Sequence, residues 1–182
     1  MGSRIEPMLA RRATVRPFQL TTLVDFNMGR LPLDMPTVLY NLQESGKTPF
    51  ALAHFDNPLV VRHLEDLKQL NERHDGLVFD DCNLLQLSAE ETIHLLEFDQ
   101  TRSIKCRYSN AQIPADMAMI FTTNMKPKDL STRGKNKVQR RAIARRYTAI
   151  KITARLQVQG TPFTAAQKRA RREAGVNGPQ GP

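Results

Sequence analysis

At 182 residues, 40% apolar and 25% charged, the chain has the composition of a soluble globular protein, long enough for one domain with a substantial core. Its longest apolar runs are far too short to cross a bilayer, and its N-terminus, MGSRIEPMLARRATVRP, carries positive charge without the apolar core of a secretory signal. The net charge of +9 is unevenly spread. Residues 126–182 hold 15 Lys or Arg against Asp129 and Glu173, a net of +13, whereas residues 1–125 hold 12 basic against 16 acidic residues, a net of −4. A polycationic end on a mildly acidic body is an electrostatic footprint for nucleic acid, with a solvated tail as the alternative for the last fifteen residues. The Arg-rich start has some likeness to a transit peptide but lacks amphipathic regularity. Cys82 and Cys106 are too few for a disulfide framework, so a reducing compartment is the default. No Cys or His pair has zinc-ligand spacing, and His54, His63, His74 and His94 are scattered, each read as a surface or partly buried side chain.

In chain order, residues 1–35 show little periodicity and read as an irregular arm with a short helix near LTTLVDFNM. TVLYNL is apolar, β-branched and short, as a buried strand requires. A helix starts at Gly46 and continues through FALAHF; Pro49 is tolerated in its first turn, where no N–H bond is lost. NPLVVRH reads as a second strand and LEDLKQL as a short amphipathic helix. HDGLVFDD is a third strand, entered through Gly76 and ended by two carboxylates. SAEETIHLLEFD follows as a helix, with Ser88 and Glu91 spaced as a capping box. RSIKCRYSNAQIP alternates like a hairpin turning at Ser109-Asn110. AMIFTTN is another buried strand, NKVQRRAIARR a basic helix and YTAIKITARL an alternating strand. The end, VQGTPFTAAQKRARREAGVNGPQGP, is rich in Gly, Pro and charge and is expected to be mobile. This order is that of an α/β protein, a parallel sheet flanked by helices. Ligands of such sheets bind beyond the carboxyl ends of the strands. Residues 41–48, Asp80-Asp81 and 122–124 all fall at such ends.

Each cluster suits one part of a phosphate-transfer site. NLQESGKT ends as a phosphate-binding loop does, with Gly46, Lys47 and Thr48 in order. The full pattern G-x-x-x-x-G-K-S/T wants a first glycine where Asn41 stands. A glycine at position 46 lets successive N–H groups curl toward phosphate oxygens. Lys47 then reaches the β/γ-phosphates as a point charge, and Thr48 places a hydroxyl on Mg²⁺. In LVFDD, Asp80 at the strand tip suits a Mg²⁺ ligand held through water, and Asp81 is placed to orient or deprotonate the attacking water. Two solvated acids at a strand end are the bland alternative. In IFTTN, Asn124 can bond the γ-phosphate or the attacking water, with Thr122 and Thr123 in support; ordinary turn chemistry is the alternative. QRRAIARR sets Arg141 and Arg145 as i,i+4 neighbours on a helix, and an arginine supplied by an adjacent subunit can stabilise charge on a transferred phosphoryl group. The alternatives for that stretch are a basic solvated face or a nuclear-localisation patch.

The ordered set S-G-K-T, L-V-F-D-D, R-S-I-K-C-R-Y-S-N-A-Q-I-P, I-F-T-T-N and R-R-A-I-A-R-R closely resembles the helicase half of replication-associated (Rep) proteins of circular single-stranded DNA viruses. That domain is of the superfamily 3 helicase type, a variant of the AAA+ ATPase fold, and the resemblance covers roughly residues 37–155. It implies a ring-forming motor, commonly hexameric, that hydrolyses ATP with Mg²⁺ and moves on single-stranded DNA, with RNA as the other nucleic acid to consider. Gly46, Lys47 and Thr48 map to Walker A, with Asn41 and Ser45 in the same loop. Asp80 and Asp81 map to Walker B, and Asn124 to motif C. Residues 102–114 map to motif B′, whose hairpin faces the channel; Lys105 and Arg107 are its candidate phosphate contacts. Tyr108 is read there either as packing a base or as packing across the hairpin. The arginine finger falls to Arg145 or Arg146.

Two departures stand out. Asn41-Leu42 replaces the usual Gly-Pro opening of the loop. Asn is the non-glycine residue most willing to enter the left-handed region, so the turn is expected to survive with weaker nucleotide binding. The family's endonuclease motifs, His-hydrophobe-His and Tyr-x-x-Lys, are missing from this sequence, so nicking and joining are not expected. The chain reads as a fragment, an altered reading frame or an integrated remnant, divided into an arm (1–35), an ATPase/helicase domain (36–156) and a basic tail (157–182). A catalytically impaired relic that binds DNA or RNA is the alternative, and an unrelated basic RNA-binding protein a more distant one. The basic end suggests a host-nuclear address on composition alone, and an intracellular soluble one otherwise.

Overall fold

Short runs of apolar residues, bounded by Gly, Pro or polar residues, build a five-stranded sheet in the computed structural model, which describes residues 22–128 and 136–156. The strands in chain order are β1 (Thr37–Asn41), β2 (Pro58–Val61), β3 (Gly76–Asp80), β4 (Arg102–Cys106), β5 (Ser109–Ile113), β6 (Met119–Thr122) and β7 (Thr148–Ile152). Strands β4 and β5 form a separate antiparallel hairpin. The other five are parallel, in the order β2-β3-β6-β1-β7. The central strands are apolar along their length because both faces are covered.

Alternation along the strands sorts side chains into two cores. Val38, Val61, Leu77, Phe79, Met119 and Phe121 point to one face; Leu39, Val78, Ile120 and Ile152 point to the other. The first face is covered by helix α2 (Ala89–Leu96), helix α3 (Lys137–Ala144), the hairpin and a 3₁₀ segment at Leu64–Gln69. On that face the Phe79 and Phe121 rings stack, centroids 4.3 Å apart. The second face is covered by helix α1 (Lys47–Leu52) and by residues 23–33. The connection from β1 back to β2 therefore runs over one face, and those onward from β2, β3 and β6 run over the other. The chain leaves neighbouring β1 and β6 in opposite directions, which opens a crevice at their carboxyl ends.

The capping box of α2 is formed as its sequence suggests: Glu91 N–H donates to Ser88 Oγ, and Ser88 N–H donates to the Glu91 carboxylate. Three local readings change. LEDLKQ is a 3₁₀ segment, its start fixed by Arg62 and His63 N–H groups that both donate to Asp66 Oδ2. The hairpin turns at Arg107-Tyr108, not at Ser109-Asn110, because Cys106 pairs with Ser109 and Ile104 with Ala111. This register buries Ile104, Cys106, Ala111 and Ile113 on one face and puts Tyr108 in the left-handed region at φ 68°. In the segment read as an arm, Phe26 and Leu31 are buried against α1; residues 1–21 of that segment and the tail from 157 lie outside the described residues.

Two buried polar residues secure the scaffold. Arg102 is almost fully buried and donates to the carbonyls of Leu95, Gln100 and Pro114, tying α2 to the hairpin. Burial pulls its pKa down to about 10, against the opposing pull of Glu97. His54 is buried too, contrary to its reading as a surface or partly buried residue. Its Nε2 accepts from Leu31 N–H at 3.0 Å, and its Nδ1 lies 2.8 Å from the Phe50 carbonyl, to which it donates. Desolvation lowers the His54 pKa below 6.5; the Phe50 bond opposes that shift and Arg30 adds to it.

A pH dependence follows. The unfolded imidazole takes up a proton at a higher pH than the folded one, so stability is full above about pH 6.5 and falls as pH drops below it. Carboxylates held low by hydrogen bonds, Asp66 and Glu91, act in a separate window below their ordinary values of 3.8 and 4.5. Between about pH 6.5 and about pH 5, wild type should lose melting temperature and Leu31 amide protection. His54→Gln, which can keep both bonds without titrating, should flatten that limb. An identical limb in both proteins would remove His54 from this role.

Candidate functional site

The loop after β1 folds because three of its residues take positive φ: Asn41 at 88°, Glu44 at 53° and Gly46 at 85°. Asn41 occupies the left-handed position expected of it and adds a bond that glycine lacks, its Nδ2 donating to the Ile152 carbonyl of β7 at 3.0 Å. From behind, Leu156 N–H donates to the Ser45 carbonyl at 2.8 Å. The loop is thus braced by the end of the sheet's edge strand and by the segment that follows it.

Lys47 starts α1 and is only 7% exposed. Its ammonium donates to the carbonyls of Asn41 and Leu42, to Ser45 Oγ at 3.4 Å and to Asn124 Oδ1 at 3.0 Å. Burial lowers its pKa, and the nearby Asp81 carboxylate opposes that shift. One residue on, the Thr48 hydroxyl donates to Asp80 Oδ1 at 2.7 Å and lies 3.2 Å from Thr122 Oγ1. Thr122 Oγ1 is also 3.2 Å from Asp80 Oδ1, since β6 lies directly beside β3 and pairs Asp80 with Thr122. Asp81 turns out of the strand at φ 48°, its N–H donating to the Thr122 carbonyl. Loop residues 43–49 with Asp81, Thr122 and Asn124 line an open cleft of about 370 Å³.

Asn41, Ser45, Gly46, Lys47, Thr48, Asp80, Asp81 and Asn124, read separately along the chain, therefore meet at one edge of the sheet. Lys105, Arg107, Arg145 and Arg146 do not join them. Lys105 is exposed on the hairpin opposite Asn110. Arg107 is exposed at the turn, its guanidinium 4.8 Å from the Tyr108 ring centroid, and its backbone N–H donates to Glu65. Tyr108 is 88% exposed and so packs nothing across the hairpin. Arg145 and Arg146 precede β7 and lie at the amino edge of the sheet, opposite the cleft. They differ from each other. Arg146 Nε bonds Glu97 Oε2 at 3.2 Å and its Nη1 donates to the Ala142 carbonyl, whereas Arg145 is exposed and makes no side-chain bond among the described residues.

One residue beside Asp80 was not anticipated. Arg62, just past β2, puts Nε 3.3 Å from Asp80 Oδ2. Its position at the carboxyl edge of a neighbouring strand is the only sequence signal that marks it.

The donor set fits a nucleoside triphosphate with Mg²⁺. Lys47 already gathers four oxygen acceptors around its charge, as it would phosphate oxygens. Thr48 and Asp80 offer a hydroxyl and a carboxylate, hard oxygen ligands of the kind Mg²⁺ takes when phosphates supply the rest. No group of three His, Cys, Asp or Glu residues that could hold a metal by themselves converges among the described residues. Also among the described residues, no helix is long and apolar enough to cross a membrane.

Comparison with family models gives no match, and comparison with curated proteins gives none either. Fold and site define an α/β protein with a parallel five-stranded sheet flanked by helices and a cluster of polar and charged residues at its carboxyl edge.

Proposed function

We propose that this chain is a P-loop ATPase of the AAA+-like superfamily 3 helicase type, acting on single-stranded nucleic acid as in viral rolling-circle replication. One observation carries the reading. Three motifs far apart in sequence, S-G-K-T, D-D and T-T-N, converge so that Lys47 bonds Asn124 and Thr48 bonds Asp80. Convergence of this kind is not required by packing, since an apolar strand end would close the sheet as well.

In this reading Lys47 leaves the loop carbonyls for the β/γ-phosphates. Thr48 and Asp80 hold Mg²⁺, which when bound neutralises charge on the phosphate oxygens. Asp81, exposed in the cleft, orients or deprotonates the attacking water. Asn124 positions the γ-phosphate or that water. Arg145 is the better finger of the two candidates, because Arg146 is already committed to Glu97. An arginine at the amino edge can serve only the cleft of another copy, so this role requires an assembly such as a ring. Lys105 and Arg107, exposed on the hairpin, supply phosphate-backbone contacts. A nuclear address belongs to the same reading and rests on the basic C-terminal composition.

The test is thermal unfolding with and without Mg-ATP. At about a hundred times Kd, binding should add about 2.7 kcal/mol, raising Tm by about 5–10 °C. No shift at millimolar Mg-ATP contradicts the reading.

A further inference from the structure

We propose that Arg62 is a positioning residue that holds the outer oxygen of Asp80 and so weakens the binding of a divalent cation there when no nucleotide is bound. The inference rests on the reading of Asp80 as the metal-side carboxylate of a P-loop site.

Both oxygens of Asp80 are engaged. Oδ1 accepts from Thr48 at 2.7 Å and lies 3.2 Å from Thr122 Oγ1, while Oδ2 faces Arg62 Nε at 3.3 Å. The two partners differ in how they are held. Thr48 and Thr122 sit on α1 and β6 and stay with the site. The Arg62 backbone is fixed by its N–H bond to Asp66, but its side chain is 69% exposed, so water or another anion can compete for the guanidinium.

A hard divalent cation needs several oxygen ligands and at least one uncompensated charge. Without nucleotide, the edge presents a carboxylate already paired with a guanidinium, together with two hydroxyls. That set is a poor cation site. A polyphosphate changes both terms: it brings further oxygens, and its negative charge gives Arg62 a second place to go. Arg62 then yields Oδ2. The consequence is a preferred order of binding, in which the cation enters with the nucleotide. An exposed ion pair of this kind contributes little to stability, so Arg62 can be replaced without loss of the fold.

The test uses the full chain and Mn²⁺ alone, with unbound Mn²⁺ followed by electron paramagnetic resonance in the absence of nucleotide. Arg62→Gln should bind Mn²⁺ about tenfold more tightly than wild type, a figure already discounted for an arginine open to solvent. Arg62→Lys, which keeps the charge, should stay near wild type. The double variant Arg62→Gln/Asp80→Asn should lose the gain. Equal affinity in wild type and Arg62→Gln overturns the proposal, as does a gain that survives Asp80→Asn. A second arm adds a non-hydrolysable ATP analogue, with which the difference between wild type and Arg62→Gln should shrink. Failure of the P-loop reading shows separately, as no analogue binding by any form, because the first arm needs no nucleotide.

Discussion

Lys47→Ala is expected to lower Mg-ATP hydrolysis about 100- to 1,000-fold, the range seen when one preorganised donor to a developing charge is removed. The side chain is buried and its ammonium is surrounded by oxygen, from Asn41, Leu42, Ser45 and Asn124. Once moved from the loop carbonyls to the phosphates, a partly desolvated charge anchored at the start of α1 acts strongly on phosphate oxygens. The substitution should leave the sheet intact, because Lys47 itself, with two of its acceptors, Ser45 and Asn124, lines an open cleft where water can replace the ammonium. Far-ultraviolet circular dichroism checks that point. Unchanged turnover in Lys47→Ala would mean that the reacting phosphates lie elsewhere.

Arg145→Ala should cost about 1,000-fold in turnover, the lower range for an arginine finger, with ATP binding retained. Arg146→Ala should act differently: loss of its partly buried bond to Glu97 should cost about 1 kcal/mol of stability and little turnover per folded molecule. The contrast comes from what each guanidinium already touches. Because both arginines lie at the edge of the sheet opposite the cleft, the effect of Arg145 has to cross between copies. Mixing Lys47→Ala with Arg145→Ala should therefore restore part of the activity, since some interfaces then combine an intact loop with an intact arginine. No recovery on mixing, with assembly confirmed by mass, would contradict a shared site.

Much of this site was legible in the sequence because fully buried parallel strands advertise themselves. VLY, LVF and MIF are continuous apolar runs, and the polar residues that end them fall at one edge once the strands are parallel. The tolerance of Asn41 for a left-handed turn was legible too; that its amide also braces β7 was not, because Ile152 is more than a hundred residues away. The hairpin turn was misplaced by trusting Ser-Asn propensity over inward alternation. Tyr108 takes the left-handed position instead, with Arg107 over its ring and the Arg107 N–H on Glu65. Arg62, His54 and Arg102 act through partners that sequence spacing does not reveal: a neighbouring strand tip, a segment before β1, and carbonyls brought together by the hairpin. The alternative of an impaired relic drew support from Asn41. The structure shows Asn41 in a positive-φ conformation with its amide bonded to Ile152, so a side chain is accommodated at that position.

The most direct measurement is phosphate release from ATP by the purified full chain with Mg²⁺, in the presence and absence of single-stranded DNA. The account predicts multiple turnovers that require Mg²⁺ and rise when DNA is added. A chain that is folded and binds DNA, yet releases no phosphate from ATP under either condition, would contradict it.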